Sequence, residues 1–234
     1  MQETPEVDPT PFLGFADPIS SVLHLGGAAA FAMLGVGLVL RARGNRLRVA
    51  AIAVYVTGVV FALAMSGVFH LVPRNTDARE VMNIVDHAGI FFLIAASYTP
   101  IHIIEFKGLM RWGILGFVWG AAISGIVLKS VFFSTIPEWI GLMLYLVLGW
   151  AGLISATALY RAVGLKPLLP LIAGALAYTL GAVLEYLRVP TLVSGVFGPH
   201  EIFHVFVLVG VAMHWVYIRR ITIYAPITDL YQSR

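Results

Sequence analysis

His70 closes one apolar segment of the chain, and His200 and His204 open another. The latter pair is four residues apart, so a helix projects both rings from one face. Ser66 stands four residues before His70, and Asp86 lies at the mouth of the next apolar segment. Ionisable groups are costly at membrane depth and mark functional sites there. Neutral imidazoles converging from different helices are what a zinc ion takes as ligands. The chain has no Cys, so disulfides, thiolate nucleophiles and Cys-rich metal sites are excluded, and only His and carboxylate remain to hold a metal. The expected site is a Zn2+ centre of His70, His200 and His204 embedded in the membrane, with hydrolytic chemistry.

Three protein ligands leave a fourth zinc position for water, the pattern of catalytic rather than structural zinc. Zinc lowers the pKa of that water to about 7, which makes a nucleophile available at neutral pH. Asp86 is the candidate general base for it. Ser66, one turn below His70 on the same face, is placed to orient the water, support a ligand or donate to an oxyanion. A nucleophile of this kind attacks an ester or amide carbonyl, and a site reached through the bilayer receives a lipid substrate.

Duller roles compete for each residue. A lone His in a span is usually an interhelical hydrogen-bonding group, and His24, His102 and His214 are read that way. Ser66 taken alone bonds back to its own helix. Asp86 alone caps a helix or faces loop water. Glu185 pairs with Arg188, three residues on, with a supporting role toward the metal as the alternative. His87 projects about 100° away from Asp86 around the helix. Trp112, Trp139, Tyr160 and Trp215 read as interfacial anchors. The small-residue runs at 26–30 and 120–125 read as places of close helix packing.

The elements that must carry these residues follow from composition. The chain is 234 residues long, 59% hydrophobic and only 12% charged, with a mean hydropathy of +0.90. A soluble domain carries about twice that charge. The polar stretches are too short to fold alone. Lys and Arg lie in short loops and the net charge is only +3, which speaks of membrane topology and against nucleic-acid binding. A crossing helix needs about 20 mostly apolar residues. Seven runs qualify, at 19–40, 49–70, 83–104, 110–128, 139–160, 168–187 and 201–218. All should be helices, because an open strand leaves its backbone unsatisfied in lipid. The expected organisation is an extracytoplasmic tail at 1–18, an all-α seven-transmembrane bundle at 19–222 and a cytoplasmic tail at 223–234.

Antiparallel spans place the end of the second, the start of the third, the end of the sixth and the start of the seventh on one side of the membrane. His70, Asp86, Glu185, His200 and His204 occupy those positions, whatever the exact helix ends. His102 falls at the opposite end of the third span, and His214 lies about 15 Å along its helix from His204. Arg41, Arg43, Arg46, Arg48, Lys107, Arg111, Arg161, Lys166, Arg219, Arg220 and Arg234 gather on one side. Arg74, Arg79, Lys129 and Arg188 lie on the other. The positive-inside rule therefore puts the N-terminus outside and the C-terminus in the cytoplasm of an inner-membrane protein. The acidic tail (Glu3, Glu6, Asp8, Asp17) is easily translocated. It has no basic n-region and so does not resemble a secretory signal.

Ser66-Gly-Val-Phe-His70 resembles an S-x-x-x-H element, and Asp86-His-Ala-Gly-Ile followed by Tyr98-Thr-Pro100 resembles a D-H-x-G-I…Y-T-P segment. His200-Glu-Ile-Phe-His204 resembles an H-x-x-x-H element. In this order, and over nearly the whole chain from His24 onward, they resemble the bacterial hemolysin III proteins of the progestin and adipoQ receptor family. The resemblance implies a seven-helix bundle with zinc on His70, His200 and His204, a water hydrogen-bonded to Asp86, and a role for Ser66. The wider superfamily includes alkaline ceramidases and adiponectin receptors, which implies hydrolysis of a lipid amide. The adiponectin-receptor branch has its N-terminus in the cytoplasm, whereas the charge bias here points the other way. Two other functions stand beside the hydrolase: a receptor or sensor with a structural zinc, and a hemolysin-like pore former. Against the pore, no span carries a continuous polar stripe.

Overall fold

The computed structural model describes residues 9–223. It is all-α, with helices α1 (Pro18–Arg41), α2 (Arg46–Leu71), α3 (Asp77–Glu105), α4 (Gly108–Val131), α5 (Glu138–Trp150), α6 (Leu153–Val163), α7 (Leu169–Tyr186) and α8 (Pro199–Ile223). A short 3-10 turn, Lys166–Leu168, leads into α7. Among the described residues, seven spans are long and apolar enough to cross a membrane, α5 and α6 together making the fifth. The expected seven-helix bundle is what forms.

Most helices run a few residues past the hydropathy bounds, and the third and fifth spans differ further, each for a local reason. The third helix starts at Asp77, not near residue 83. Thr76 accepts from the Arg79 amide at 3.3 Å, and Asp77 and Glu80 lie in the first turn, where carboxylates favour the positive end of the helix dipole. Asp86 therefore sits well inside α3 and is not its cap. The fifth span is interrupted at Ala151–Gly152. There the Tyr98 hydroxyl, reaching from α3, faces the carbonyls of Leu148 at 3.0 Å and Gly149 at 2.9 Å. A polar side chain inserted into the helical ladder is a sufficient cause for such a break.

Packing brings the ends together. α2 lies between α1 and α3, α3 packs on α4, and α7 packs on α8. α8 returns against α1 and α3, which closes the bundle. The core runs through Ile52, Tyr55, Val59, Leu63, Tyr217, Ile218 and Ile221. Trp215 belongs to this core at 7% exposure, packed on Phe31 and Tyr55. The anchor reading for it is thus corrected, whereas Trp112, Trp139 and Tyr160 are more than half exposed on the outer face. Gly67 is where α1 and α2 come closest on the histidine side. A Cβ there would sit 2.9 Å from the Leu25 backbone nitrogen, so a larger residue would push apart the helices that carry His24 and His70. The small-residue runs are mixed: Gly125 abuts the Phe91 ring, but Gly26 and Gly120 face open space.

Candidate metal centre

His70 lies in the last turn of α2, and His200 and His204 in the first turns of α8. Their ring centroids are 4.9 Å apart for His70 and His200, 4.7 Å for His70 and His204, and 4.5 Å for His200 and His204. One nitrogen from each ring falls within 4.8 Å of the other two. His70 and His204 are 2% exposed, and His200 is half-buried. The three residues expected to converge do so, as a buried cluster that can hold a metal ion.

The partners of these rings decide which nitrogens face inward. His70 donates from Nδ1 to Asp17 Oδ2 at 2.9 Å. His200 donates from Nδ1 to Glu185 Oε1 at 3.0 Å. A neutral imidazole that donates from Nδ1 presents a lone pair at Nε2. The two Nε2 atoms lie 3.2 Å apart. In a buried place, two facing lone pairs repel unless a cation or a shared proton stands between them. A metal bonded to nitrogen at about 2.0–2.1 Å in tetrahedral geometry separates its ligands by about 3.3 Å. Donor type, ring orientation and spacing all fit a metal ion, and carboxylate-supported histidines are the usual surroundings of one.

Asp17 is the residue that the sequence reading missed. It was grouped with the acidic tail, yet it is 5% exposed and also accepts from Arg74 at 2.6 Å and from Arg79. Burial pushes its carboxyl up, but the hydrogen bonds from His70, Arg74 and Arg79 outweigh this and hold it well below the usual range. The only local signal was an Asp immediately before a Pro at a helix start, which reads as an N-cap. α1 has no such cap bond. Glu185 holds both roles considered for it, on His200 and on Arg188 at 2.7 Å. Glu201, also unremarked, is 3% exposed and accepts from Ser20 of α1 and from the Gly198 amide, both at 2.9 Å. It ties the start of α8 to α1.

Ser66 is buried on α2, and its hydroxyl lies close enough to the half-buried Asp86 carboxyl to influence it. Asp86 is in electrostatic range of His200. His24, read as an interhelical hydrogen-bonding group, instead stacks on His204 with centroids 3.9 Å apart, and neither of its nitrogens makes a hydrogen bond of ordinary geometry. His102 and His214 do bond between helices. His102 faces Ser155 at 3.0 Å and the Met110 carbonyl at 2.8 Å, and His214 reaches the Leu171 carbonyl at 3.4 Å. His87 turns away to the Asn83 carbonyl and the Phe133 ring.

A model of the family described as haemolysin-III related matches residues 15–215, a stretch that contains every residue of this site. Over 171 residues the chain is 29% identical to hemolysin-3 of Bacillus cereus, covering 73% of this chain and 74% of that one. It is 32% identical over 135 residues to the hemolysin-3 homolog of Bacillus subtilis (strain 168), 57% of this chain and 60% of that one. It is 31% identical over 183 residues to the heptahelical transmembrane protein ADIPOR2 of Oryza sativa subsp. japonica, 70% of this chain and 78% of that one.

Proposed function

The chain belongs to the haemolysin-III-related family, and on that footing we propose that it is a zinc-dependent integral-membrane hydrolase of a lipid amide or ester. The observation that carries the reading is a cluster of inward-facing imidazoles, two of them held by carboxylates. His70 and His200 present Nε2 to one another at 3.2 Å, and Asp86, paired with Ser66, stands in electrostatic range of His200. His70, His200 and His204 hold the metal. When bound, zinc makes a water nucleophilic near neutral pH and polarises a carbonyl. Asp86 accepts the proton of the attacking water on its carboxylate and passes it to the leaving amine or alcohol. Ser66 donates to Asp86 and fixes the oxygen that takes that proton. Asp17 and Glu185 hold the His70 and His200 rings. The half-buried His200 and Asp86 mark the open flank of the centre, and His24 and His204 close the α1 side. A lipid carbonyl enters at that flank.

A structural zinc in a receptor or sensor is the second reading. It is favoured by the placement of the ligands, since an ion shared by His70 and the α8 pair would tie the last turn of α2 to the first turns of α8. The two readings separate on purified protein in lipid nanodiscs. One zinc per chain is expected, with fatty acid released from at least one member of a panel of ceramides, other lipid amides and lipid esters. Chelation should abolish the release and added zinc restore it. Full zinc content with no release from any lipid would leave only the structural role.

The orientation proposed is N-terminus outside and C-terminus cytoplasmic, with the metal centre near the extracytoplasmic face. Its support is the excess of Arg and Lys on the opposite side. Because the chain has no Cys, single introduced thiols report topology cleanly. On intact cells an impermeant maleimide is expected to label Thr10→Cys, and Lys107→Cys only after permeabilisation. The reverse pattern would invert the topology.

A further inference from the structure

We propose that the segment ahead of α1, residues 9–17, is a built part of the metal centre, and that Asp17 is the positioning residue that holds His70 in its ligand orientation. The inference rests on the metal reading above and adds to it a residue outside the bundle's helices. The segment is docked at both ends, with the exposed residues 10–14 between them. The amides of Ala16 and Asp17 donate to the carbonyls of Leu71 at 3.4 Å and His70 at 3.0 Å, so the segment takes up carbonyls that the end of α2 leaves without helical partners. Arg74 donates to the carbonyls of Pro9 at 2.8 Å and Ala16 at 3.3 Å. The Thr10 amide donates to Gly195, in the connection between α7 and α8, at 2.8 Å.

Asp17 stands at the N-cap position of α1, but its carboxylate is turned away from the helix. Oδ2 accepts from His70 Nδ1 and Arg79, and Oδ1 accepts from Arg74. Arg79 is itself held, donating to the Val72 carbonyl at 2.7 Å and lying 4.5 Å over the Phe69 ring. Two guanidiniums thus fix the carboxylate from the loop and from α3, and the carboxylate fixes the imidazole. A ring locked at Nδ1 has one lone pair to give, at Nε2, and one direction in which to give it. The equivalent pair at His200 is looser, because Glu185 is shared with the exposed Arg188.

The test uses the full chain in detergent, with three readouts: zinc affinity by chelator competition, the visible spectrum of the cobalt-loaded protein, and thermal unfolding of the metal-free protein. Asp17→Asn keeps the shape of the side chain and removes its charge. It is expected to weaken zinc binding about 10- to 100-fold and to shift the cobalt bands, because the geometry at the metal changes. Glu185→Gln is expected to cost less than Asp17→Asn. A purely structural Asp17 would lower the unfolding temperature and leave zinc affinity and cobalt spectrum unchanged, and that result overturns the proposal while sparing the metal site. Should Asp17→Asn fail to fold, Asp17→Glu takes its place: it keeps the charge and shifts the carboxylate by one methylene against His70 Nδ1, and an unchanged zinc affinity and cobalt spectrum in it overturn the proposal equally. A wild-type protein that binds neither metal would instead overturn the reading on which this one rests.

Discussion

His204→Ala is expected to empty the metal centre, lowering zinc content in the purified protein from about one per chain to near zero after dialysis. Binding free energies of about 10–16 kcal/mol for four-ligand zinc sites put one ligand at about 3–4 kcal/mol, a loss of about 10²–10³ in affinity. His204 lies one turn further along α8 than His200 and is 2% exposed. The neighbouring His24 is stacked against it and will not reach the same position without moving α1. Stability should follow the metal. An ion bound only by the folded state contributes about 2.7 kcal/mol at a concentration 100 times its dissociation constant, and this increment should vanish in the variant. The control is His214→Ala, on the same helix but bonded to the Leu171 carbonyl. Its zinc content should equal that of the wild type. Atomic absorption on the three proteins, with thermal unfolding with and without zinc, checks both halves. Unchanged zinc in His204→Ala would remove His204 from the ligand set.

The convergence of His70, His200 and His204 was legible because it needs little: antiparallel spans of membrane length and a four-residue spacing at a helix start. Neither depends on side-chain detail. What escaped is what depends on pairing across large separations. Asp17 and His70 are 53 positions apart, and an acidic residue in a polar tail has no periodic signal to mark it as buried. The stack of His24 on His204 needs the rotation of α1 about its own axis, which hydropathy does not encode when most faces of a helix are apolar. For the same reason Trp215 passed for an interfacial anchor although it is a core residue. The break between α5 and α6 is met by the Tyr98 hydroxyl from α3, a contact that Gly149 and Gly152 at the break do not announce by themselves. The early start of α3 was readable in principle from Thr76 and the acids behind it. A window averaged over hydropathy discards such a polar first turn, and with it the depth of Asp86 in the helix.

That depth gives the last expectation its force. Asp86→Asn should retain zinc at the wild-type level and lose hydrolysis by about 10²–10⁴-fold, the usual worth of a positioned acid–base group. An amide has nearly the shape of a carboxylate and still accepts from Ser66, so the packing of α3 against α2 is preserved. It has no basic oxygen to take a proton. Because Asp86 lies inside α3 and is not its cap, the substitution removes no helix-terminal hydrogen bond, and a general loss of fold is not expected. Ser66→Ala should act in the same direction and more weakly, since it frees the carboxylate without neutralising it. A double variant should cost no more than Asp86→Asn alone, because Ser66 acts through Asp86. Turnover is measured with whichever panel lipid the wild type cleaves, alongside metal content. Loss of zinc in Asp86→Asn would make the carboxylate a ligand. Undiminished turnover with zinc retained would end the assignment of Asp86 as the proton acceptor, leaving the histidine cluster without a base on this flank.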